Sequence, residues 1–483
     1  MSKVDITGSA GDGGVLNAET VAAFEARVRG PLHRPEALAY EQACAIWNGM
    51  IEKRPALVVQ PTGAADVIEC VNFASSHGLP LSVRGGGHNI AGTALAEGGL
   101  MIDHTPRKGV HVDPRRGVVR IEPGATWGDT DRETQLYGLV VPGGIVSHTG
   151  VAGFTLGGGF GWASRRYGLA SDNLLSADMV TADGRLIRAS ETEHPDLFWA
   201  LRGGGGNFGI VTSFEFRACP LGPEVMAGIV FHPMERAKEV TALYREVTAS
   251  APDTLCCLLV MRVAPPVSYL PKHVHGSPII GIATCHTGAL EDGAKLVKPI
   301  KEFGEPICDL IARKPFTEHQ MMLDAAQPFG RRYYWKSDYF ASLDARLCDV
   351  LIEHAGAMRS PHSTILLMHL GGQIRRIGDT ETAAGNRDAE YILNIQGAWE
   401  AAADDDANVA WARDFWQAAR PYSTGGTYVN FLTEDADRDR VRQAYGAATY
   451  DRLVDAKTSY DPDNMFRANH NIPPAKSENS ISA

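Results

Sequence analysis

Arg84-Gly85-Gly86-Gly87-His88-Asn89 decides how this chain is read. Directly before it, Leu79-Pro80-Leu81-Ser82-Val83 is a short apolar run of strand character, so three bare residues open at a strand's end. Glycine has no Cβ to hold neighbouring backbone apart. Successive glycines let several N–H groups converge on one point, a nest suited to an anion such as a pyrophosphate. On its own, His88 in such a loop is a phosphate donor or a surface residue.

The loop is not alone. Gly150-Val-Ala-Gly153-Phe-Thr-Leu-Gly157-Gly158-Gly159-Phe-Gly161 and Arg202-Gly203-Gly-Gly-Gly206-Asn207-Phe-Gly209 repeat the theme, the latter just before a strand. Of the 51 glycines, 26 lie between Arg84 and Val211, a quarter of the 483 residues. No loop shows the dinucleotide fingerprint of one β-α-β unit with an acid about 20 residues on. Several loops closing around one long phosphate-containing cofactor fit better.

Outward from the loops, Ala56 to Gln60 reads as a strand, Asp66 to His77 as a helix and Leu79 to Val83 as a second strand, a β-α-β unit with parallel strands. Short strands follow at 99–103, 109–113, 118–122, 139–141, 175–181, 186–189 and 209–217. Asp183-Gly184 marks a hairpin turn, and helices are expected at 127–137 and 196–201. Cys219-Pro220-Leu-Gly-Pro223 looks like a boundary. Beyond it, strands at 226–231, 255–263, 279–285 and 365–370 alternate with helices at 234–249, 289–300 and 388–403, the pattern of an antiparallel sheet backed by helices. A closing stretch carries a strand at 428–431 and helices at 438–446 and 449–458. The fold class is therefore α+β, with an N-terminal tail and helices (1–49), a mixed unit (50–222), a second unit (223–425) and a closing segment (426–483).

Composition excludes several functions. Forty-six Lys+Arg against 57 Asp+Glu give a net charge of −11, and no basic run suggests a nucleic-acid or anionic-membrane partner. The start of the chain opens no apolar run and no stretch of 18 apolar residues occurs, so a cytoplasmic protein without a membrane span is expected. The eight cysteines lack metal spacing and read as buried thiols, with adjacent Cys256 and Cys257 on opposite strand faces. His273 and His275 could share a strand face but have no third ligand nearby, so no metal site is expected.

Jointly, the loops and four further motifs resemble a known family. They are Tyr167-Gly168-Leu-Ala-Ser-Asp172-Asn173, Asp196-Leu-Phe-Trp199-Ala-Leu-Arg202, Tyr428-Val-Asn430-Phe431, and Tyr460-Asp461-Pro462 through Phe466 to Asn469-His470-Asn471-Ile472-Pro473. From about residue 40 to 475 the chain is similar to the berberine-bridge-enzyme-like FAD-linked oxidases of the vanillyl-alcohol oxidase superfamily. That resemblance implies a two-part PCMH-type FAD-binding domain at 50–222, a substrate domain at 223–425 and a closing segment returning to the FAD half.

Residue by residue, it implies that His88 bonds covalently to the flavin 8α-methyl carbon. Many relatives add a second bond from a cysteine, whose place here is Val146. No cysteine lies between Cys70 and Cys219, so a single attachment is implied. Thr149 stands where relatives often carry a small apolar residue that affects oxygen access. Arg84, Gly85, Gly86, Gly87, Asn89, Gly150, Gly153, Gly158, Gly161 and Gly206 are expected around the cofactor. Ile210 and Val211 are expected at its adenine half, and Asn430 and Asn469 near its ring and ribityl chain. Asp461-Pro462 reads as a turn.

The family reaction moves a hydride from a substrate carbon next to O or N to flavin N5, aided by a base within hydrogen-bond reach. His369, Tyr428 and Tyr334 are the candidate bases. Tyr333, Tyr334, Trp335, Lys336 and Tyr339 are candidates to line the pocket, and their rings favour a small aromatic or phenolic substrate. O2 is the expected acceptor. Oxidation coupled to ring closure, or sugar or alcohol dehydrogenation with another acceptor, is the alternative, and oligomeric state is open.

Overall fold

A computed structural model describes residues 4–5, 15–35 and 37–475; most of the expected N-terminal tail lies outside them. Three principal sheets carry the architecture. The first has four strands in the order Leu32–His33, Leu57–Val59, Leu100–Asp103, Leu81–Arg84. Both halves of the expected β-α-β unit are present, joined by the helix Ala64–Ser76. They do not pair with each other, however. Leu100–Asp103 inserts between them and runs parallel to both. All four of its residues are buried, so the strand with the most apolar surface takes the centre.

The second sheet is antiparallel, in the order Leu186–Ser190, Leu174–Val180, Ile210–Arg217, Val118–Ile121, Val110–Asp113. The Asp183-Gly184 turn is as expected, with Gly184 at φ 75° and Val180 opposite Leu186.

The third sheet has eight antiparallel strands. Its path runs Cys308–Asp309, Glu224–Pro233, Pro278–His286, Leu255–Val263, Thr364–His369, Tyr391–Trp399, Arg332–Phe340, with Ala312–Pro315 also paired to Glu224–Pro233. Helices Ala237–Ser250, Leu290–Lys301, Ala345–Gly356 and Asp405–Ala419 bury apolar residues on one face, against Cys257, Leu259, Ile365, Leu367, Leu393 and Ile395. The opposite face carries Cys256, Leu258, Leu366, Met368 and Ile392, so Cys256 and Cys257 do point opposite ways.

Two elements differ from the sequence reading. The helix expected at 388–403 is the strand Tyr391–Trp399, with all nine residues buried. A strand covered on both faces loses the alternation that identifies it, and the Ala-rich stretch after it favours helix on local grounds. The strand expected at 428–431 is the 3-10 turn Val429–Phe431, whose N–H groups close locally: Phe431 onto the Tyr428 carbonyl and Leu432 onto that of Val429. His273 likewise lies on a 3-10 turn, not a strand. Helices Arg438–Tyr445 and Ala447–Tyr460 pack Val441, Tyr445 and Leu453 against Phe198 and Phe208, beside the second sheet.

Candidate functional site

One cavity of about 300 Å3 runs from the Gly85–Asn89 loop to the face of the third sheet opposite its four helices. At one end it is bounded by Ser82, His104, Ile210 and Val211, in the middle by all three glycine loops and the C-terminal residues Asn469 and His470. At the other end stand Leu258, Leu366, Met368, Ile392, Asn394, Gln396, Trp335, Tyr428 and Phe431.

The middle section is built by close backbone approach. A Cβ on Gly86 would lie 2.5 Å from the Gly150 nitrogen and 2.6 Å from its Cα. The first two loops therefore touch main chain to main chain, which only glycine allows. Gly87 takes φ 68°, turning the chain so that Gly85, Gly86, His88 and Asn89 border the cavity with it. Among the described residues, no protein acceptor takes the N–H groups of Gly86, Gly87, His88 or Asn89. Donors on a cavity wall left so, that of buried Gly87 among them, suit an anionic ligand.

The C-terminal segment clamps the third loop. Lys457, fully buried, donates to the carbonyls of Asn207 (2.8 Å) and Phe466 (3.0 Å) and to Asp461 (2.5 Å). Asn469 Nδ2 donates to the Gly206 carbonyl at 3.1 Å, while its Oδ1 and His470 Nε2 have no partner in the protein.

Most expected cofactor residues line the cavity: Gly85, Gly86, Gly87, His88, Asn89, Thr149, Gly150, Gly153, Gly206, Ile210, Val211, Asn430 and Asn469. Arg84, Gly158 and Gly161 do not. The Arg84 guanidinium donates instead to the carbonyls of Gln42, Ala43 and Ala45 and anchors the loop from behind. Gly161 has no room for a side chain because the Gly143 carbonyl packs on it. Asp172, of the 167–173 motif, forms a buried pair with Arg387 at 2.6 Å, a fastening rather than a ligand.

Among the candidate bases, only Tyr428 borders the cavity. Its hydroxyl oxygen accepts from Asn430 Nδ2 (2.8 Å) and from the Gly159 N–H (3.1 Å). Burial holds the phenol's pKa well above its ordinary value, and those two donors offset only part of the rise. His369 points to the other face of its strand, where Nε2 lies 3.0 Å from Arg165 Nη1 and the ring stacks on Tyr391. Alternation explains this: Leu366 and Met368 face the cavity, so His369 cannot. Tyr334 is displaced for the same reason, its hydroxyl donating to Asp435 at 2.7 Å, where Lys336 also binds at 3.1 Å. Trp335 faces the cavity, and Tyr333 stacks on Trp47 at 3.7 Å. Tyr339 is buried apart from the cavity.

Sequence reading missed the amides. Gln327 Nε2 donates to Gln396 Oε1 at 2.9 Å, leaving Gln327 Oε1, Asn394 Oδ1 and Trp335 Nε1 without partners beside the cavity. The period-two pair Asn394 and Gln396 in an apolar run was the available signal. Among the described residues lining the cavity there is no Asp, Glu, Lys or Arg.

Comparison with known proteins places this arrangement. The family model described as "FAD binding domain" matches residues 55–190, and that for "Berberine and berberine like" matches 427–473. An FAD-linked oxidoreductase of Dictyostelium discoideum is 32% identical over 89% of this chain and 91% of its own. The chain belongs to the berberine-bridge-enzyme-like FAD-linked oxidoreductases. Within the family, (R)-6-hydroxynicotine oxidase of Paenarthrobacter nicotinovorans is 29% identical over 92% of this chain and 97% of its own. The crystal structure of 6-hydroxy-D-nicotine oxidase from Arthrobacter nicotinovorans superposes with a TM-score of 0.82, at 28% identity, over 93% of this chain and 98% of that one. The fold is that of the PCMH-type FAD-binding oxidases, and the protein is an FAD-dependent oxidoreductase. The residues present suit FAD: unclaimed N–H groups gather at the first loop, and unpartnered polar atoms of Ser82, His104, Asn469 and His470 border the same long cavity. No helix among the described residues is long and apolar enough to cross a membrane.

Proposed function

We propose that this flavoenzyme holds FAD through a single covalent bond from His88 and oxidises a C–H bond next to O or N in a small, uncharged, largely aromatic or phenolic molecule, with O2 as acceptor. The observation that carries the substrate class is the sheet end of the cavity: aliphatic and aromatic side chains, three amides, one indole N–H and one phenol, without a formal charge. A charged substrate would be desolvated there without a counter-ion, which is costly. A sugar would present more hydroxyls than these few groups can pair. One relative is an oxidase of 6-hydroxynicotine.

FAD bound in the cavity supplies a two-electron acceptor. The chain's own residues do the rest. The loops fix the cofactor, and Trp335, Phe431 and Met368 exclude water and hold the substrate ring. The amides orient its polar edge. As the phenolate, whose oxygen Asn430 and the Gly159 N–H stabilise by donating to it, Tyr428 takes the proton of the adjacent O–H or N–H. Val146, at the cavity wall, offers no thiol for a second bond, and Thr149 borders the same wall, where dioxygen would approach.

Two measurements test this reading. On a denaturing gel, flavin fluorescence should stay with the protein band; release of all flavin would overturn the His88 bond. Under anaerobic conditions, neutral phenols and hydroxylated aromatics should bleach the flavin and free sugars should not, and admitted air should restore the colour within seconds. Flavin that stays reduced in air would remove O2 as acceptor.

A further inference from the structure

His148, in the turn leading into the second glycine loop, meets His88 directly. Its Nδ1 lies 2.8 Å from His88 Nε2, with ring centroids 4.9 Å apart. The pair is held from several sides. Trp47 stacks on His88 at 4.6 Å, and Phe329 sets its ring against both imidazoles at 5.8 and 5.5 Å. The neighbouring Ser147 is pinned by Asp324, which accepts from its N–H at 2.8 Å and its hydroxyl at 2.5 Å. The Ser147–Asp324 bonds therefore fix the stretch of backbone that carries His148.

Burial favours the neutral form of both rings. Burial first, then the neighbouring ring, pushes His88 down to about 3. Burial also lowers His148, against the opposing pull of Asp324. Two neutral imidazoles in contact share one proton, one donating and the other accepting. If His88 donates from Nε2, its Nδ1 carries the lone pair, and besides His148 the ring meets only its own backbone among the described hydrogen-bond partners. A lone pair on a cavity-lining imidazole is what formation of a carbon–nitrogen bond requires.

We infer that His148 is a positioning residue for cofactor attachment: it accepts the His88 Nε2–H, holds His88 in the tautomer whose Nδ1 is nucleophilic, and takes the Nε2 proton as Nδ1 bonds to the flavin 8α carbon. This rests on the single-attachment reading above. In the net reaction one C–H bond of the 8α-methyl group and the imidazole N–H break, and a C–N bond forms. The two electrons released reduce the flavin ring and pass to dioxygen. With the two hydrogens they yield one hydrogen peroxide, so each attachment consumes one O2.

Attachment can be timed without substrate turnover. Protein produced under riboflavin limitation is mixed with FAD in air, quenched with acid at intervals, and the flavin in the protein pellet is measured against that in the supernatant. Wild type should go to completion, while His148→Ala should attach at least about a hundredfold more slowly, the lower end of the range for losing a positioned proton acceptor. Free imidazole should speed the alanine variant. His148→Gln, whose amide oxygen can accept the Nε2–H but not carry the proton off, should fall between the two. Equal rates for wild type and His148→Ala would overturn the inference and leave the His88 bond standing. A slow alanine variant that neither imidazole nor the glutamine variant improves would also overturn it, since only packing would then have been lost. Should His148→Ala fail to bind FAD, a wild-type rate in His148→Gln would decide against proton transfer. A wild-type protein that never retains flavin in the pellet would bring down the covalent reading itself.

Discussion

The two walls of the cavity are made in opposite ways. The loop wall uses backbone: three glycine-rich stretches brought within contact, with the Gly86 and Gly150 main chains touching. The sheet wall uses side chains on four neighbouring strands: Leu258, Leu366 and Met368, Ile392, Asn394 and Gln396, and Trp335. Backbone recognises what all members of a family share, here the cofactor, because it cannot change with the sequence. Side chains on alternate strand positions can change singly without disturbing the ladder. The loop wall should therefore govern cofactor retention, and the sheet wall choice of substrate.

The largest effect should come from the point where the loop wall has no tolerance. Gly86→Ala places a methyl group into the Gly150 main chain, so the two loops must part. Flavin content, read as the ratio of absorbance near 450 nm to that of protein, should fall nearly to zero while the far-ultraviolet circular dichroism is kept. A fully loaded variant would mean that the loops are not the grip. Next comes Tyr428→Phe, on the seam between the walls. Losing a general base costs about 10²- to 10⁴-fold, visible as slower flavin reduction in anaerobic stopped flow with flavin content unchanged. If reduction is undiminished, the proton is taken elsewhere.

The contrast between walls also explains what could be read in advance. Glycine loops announce themselves by composition and by exact residues, so Gly85 to Asn89, Thr149, Gly150, Gly206, Asn430 and Asn469 could be named from sequence and all border the cavity. The sheet wall was hidden because a strand buried on both faces shows no polar side, and register decides which parity meets the cavity. His369 looked more catalytic than Met368 by residue type, yet one position along a strand separates structural core from site. Arg84 and Asp172 were prominent in their motifs and prove to be fastenings, to backbone carbonyls and to Arg387.

A smaller effect should follow from the amides. Gln396→Leu removes the acceptor of Gln327 Nε2 and one polar contact for a substrate. Loss of one neutral hydrogen bond, about 0.5–1.5 kcal/mol, should raise KM by up to about tenfold with kcat nearly unchanged, in steady-state assays with the best phenolic substrate. A substrate without a polar edge should be spared; if it suffers equally, the amides shape the wall rather than read the molecule.

The smallest effect on turnover should come from the back of the sheet, and it sets the limit of the comparison. His369 is buried at 4% exposure beside Arg165, and burial, then that guanidinium, pushes its pKa down to about 3 from an ordinary 6.5. The folded protein thus leaves the ring neutral where the unfolded chain protonates it. Between pH 6.5 and 3 the unfolded state binds the extra proton, so this contribution to stability is complete above about 6.5 and is lost as pH falls through that window. The slope for one such group is at most about 1.4 kcal/mol per pH unit, and His104 and His319, also pushed down to about 3 by burial, act in the same direction. His369→Asn should therefore unfold at a lower temperature at pH 7.5, yet lose less stability than wild type between pH 7.5 and 5. Its kcat and flavin content should match wild type. A fall in kcat without a loss of stability would show that the helix-covered face of the sheet takes part in the chemistry after all.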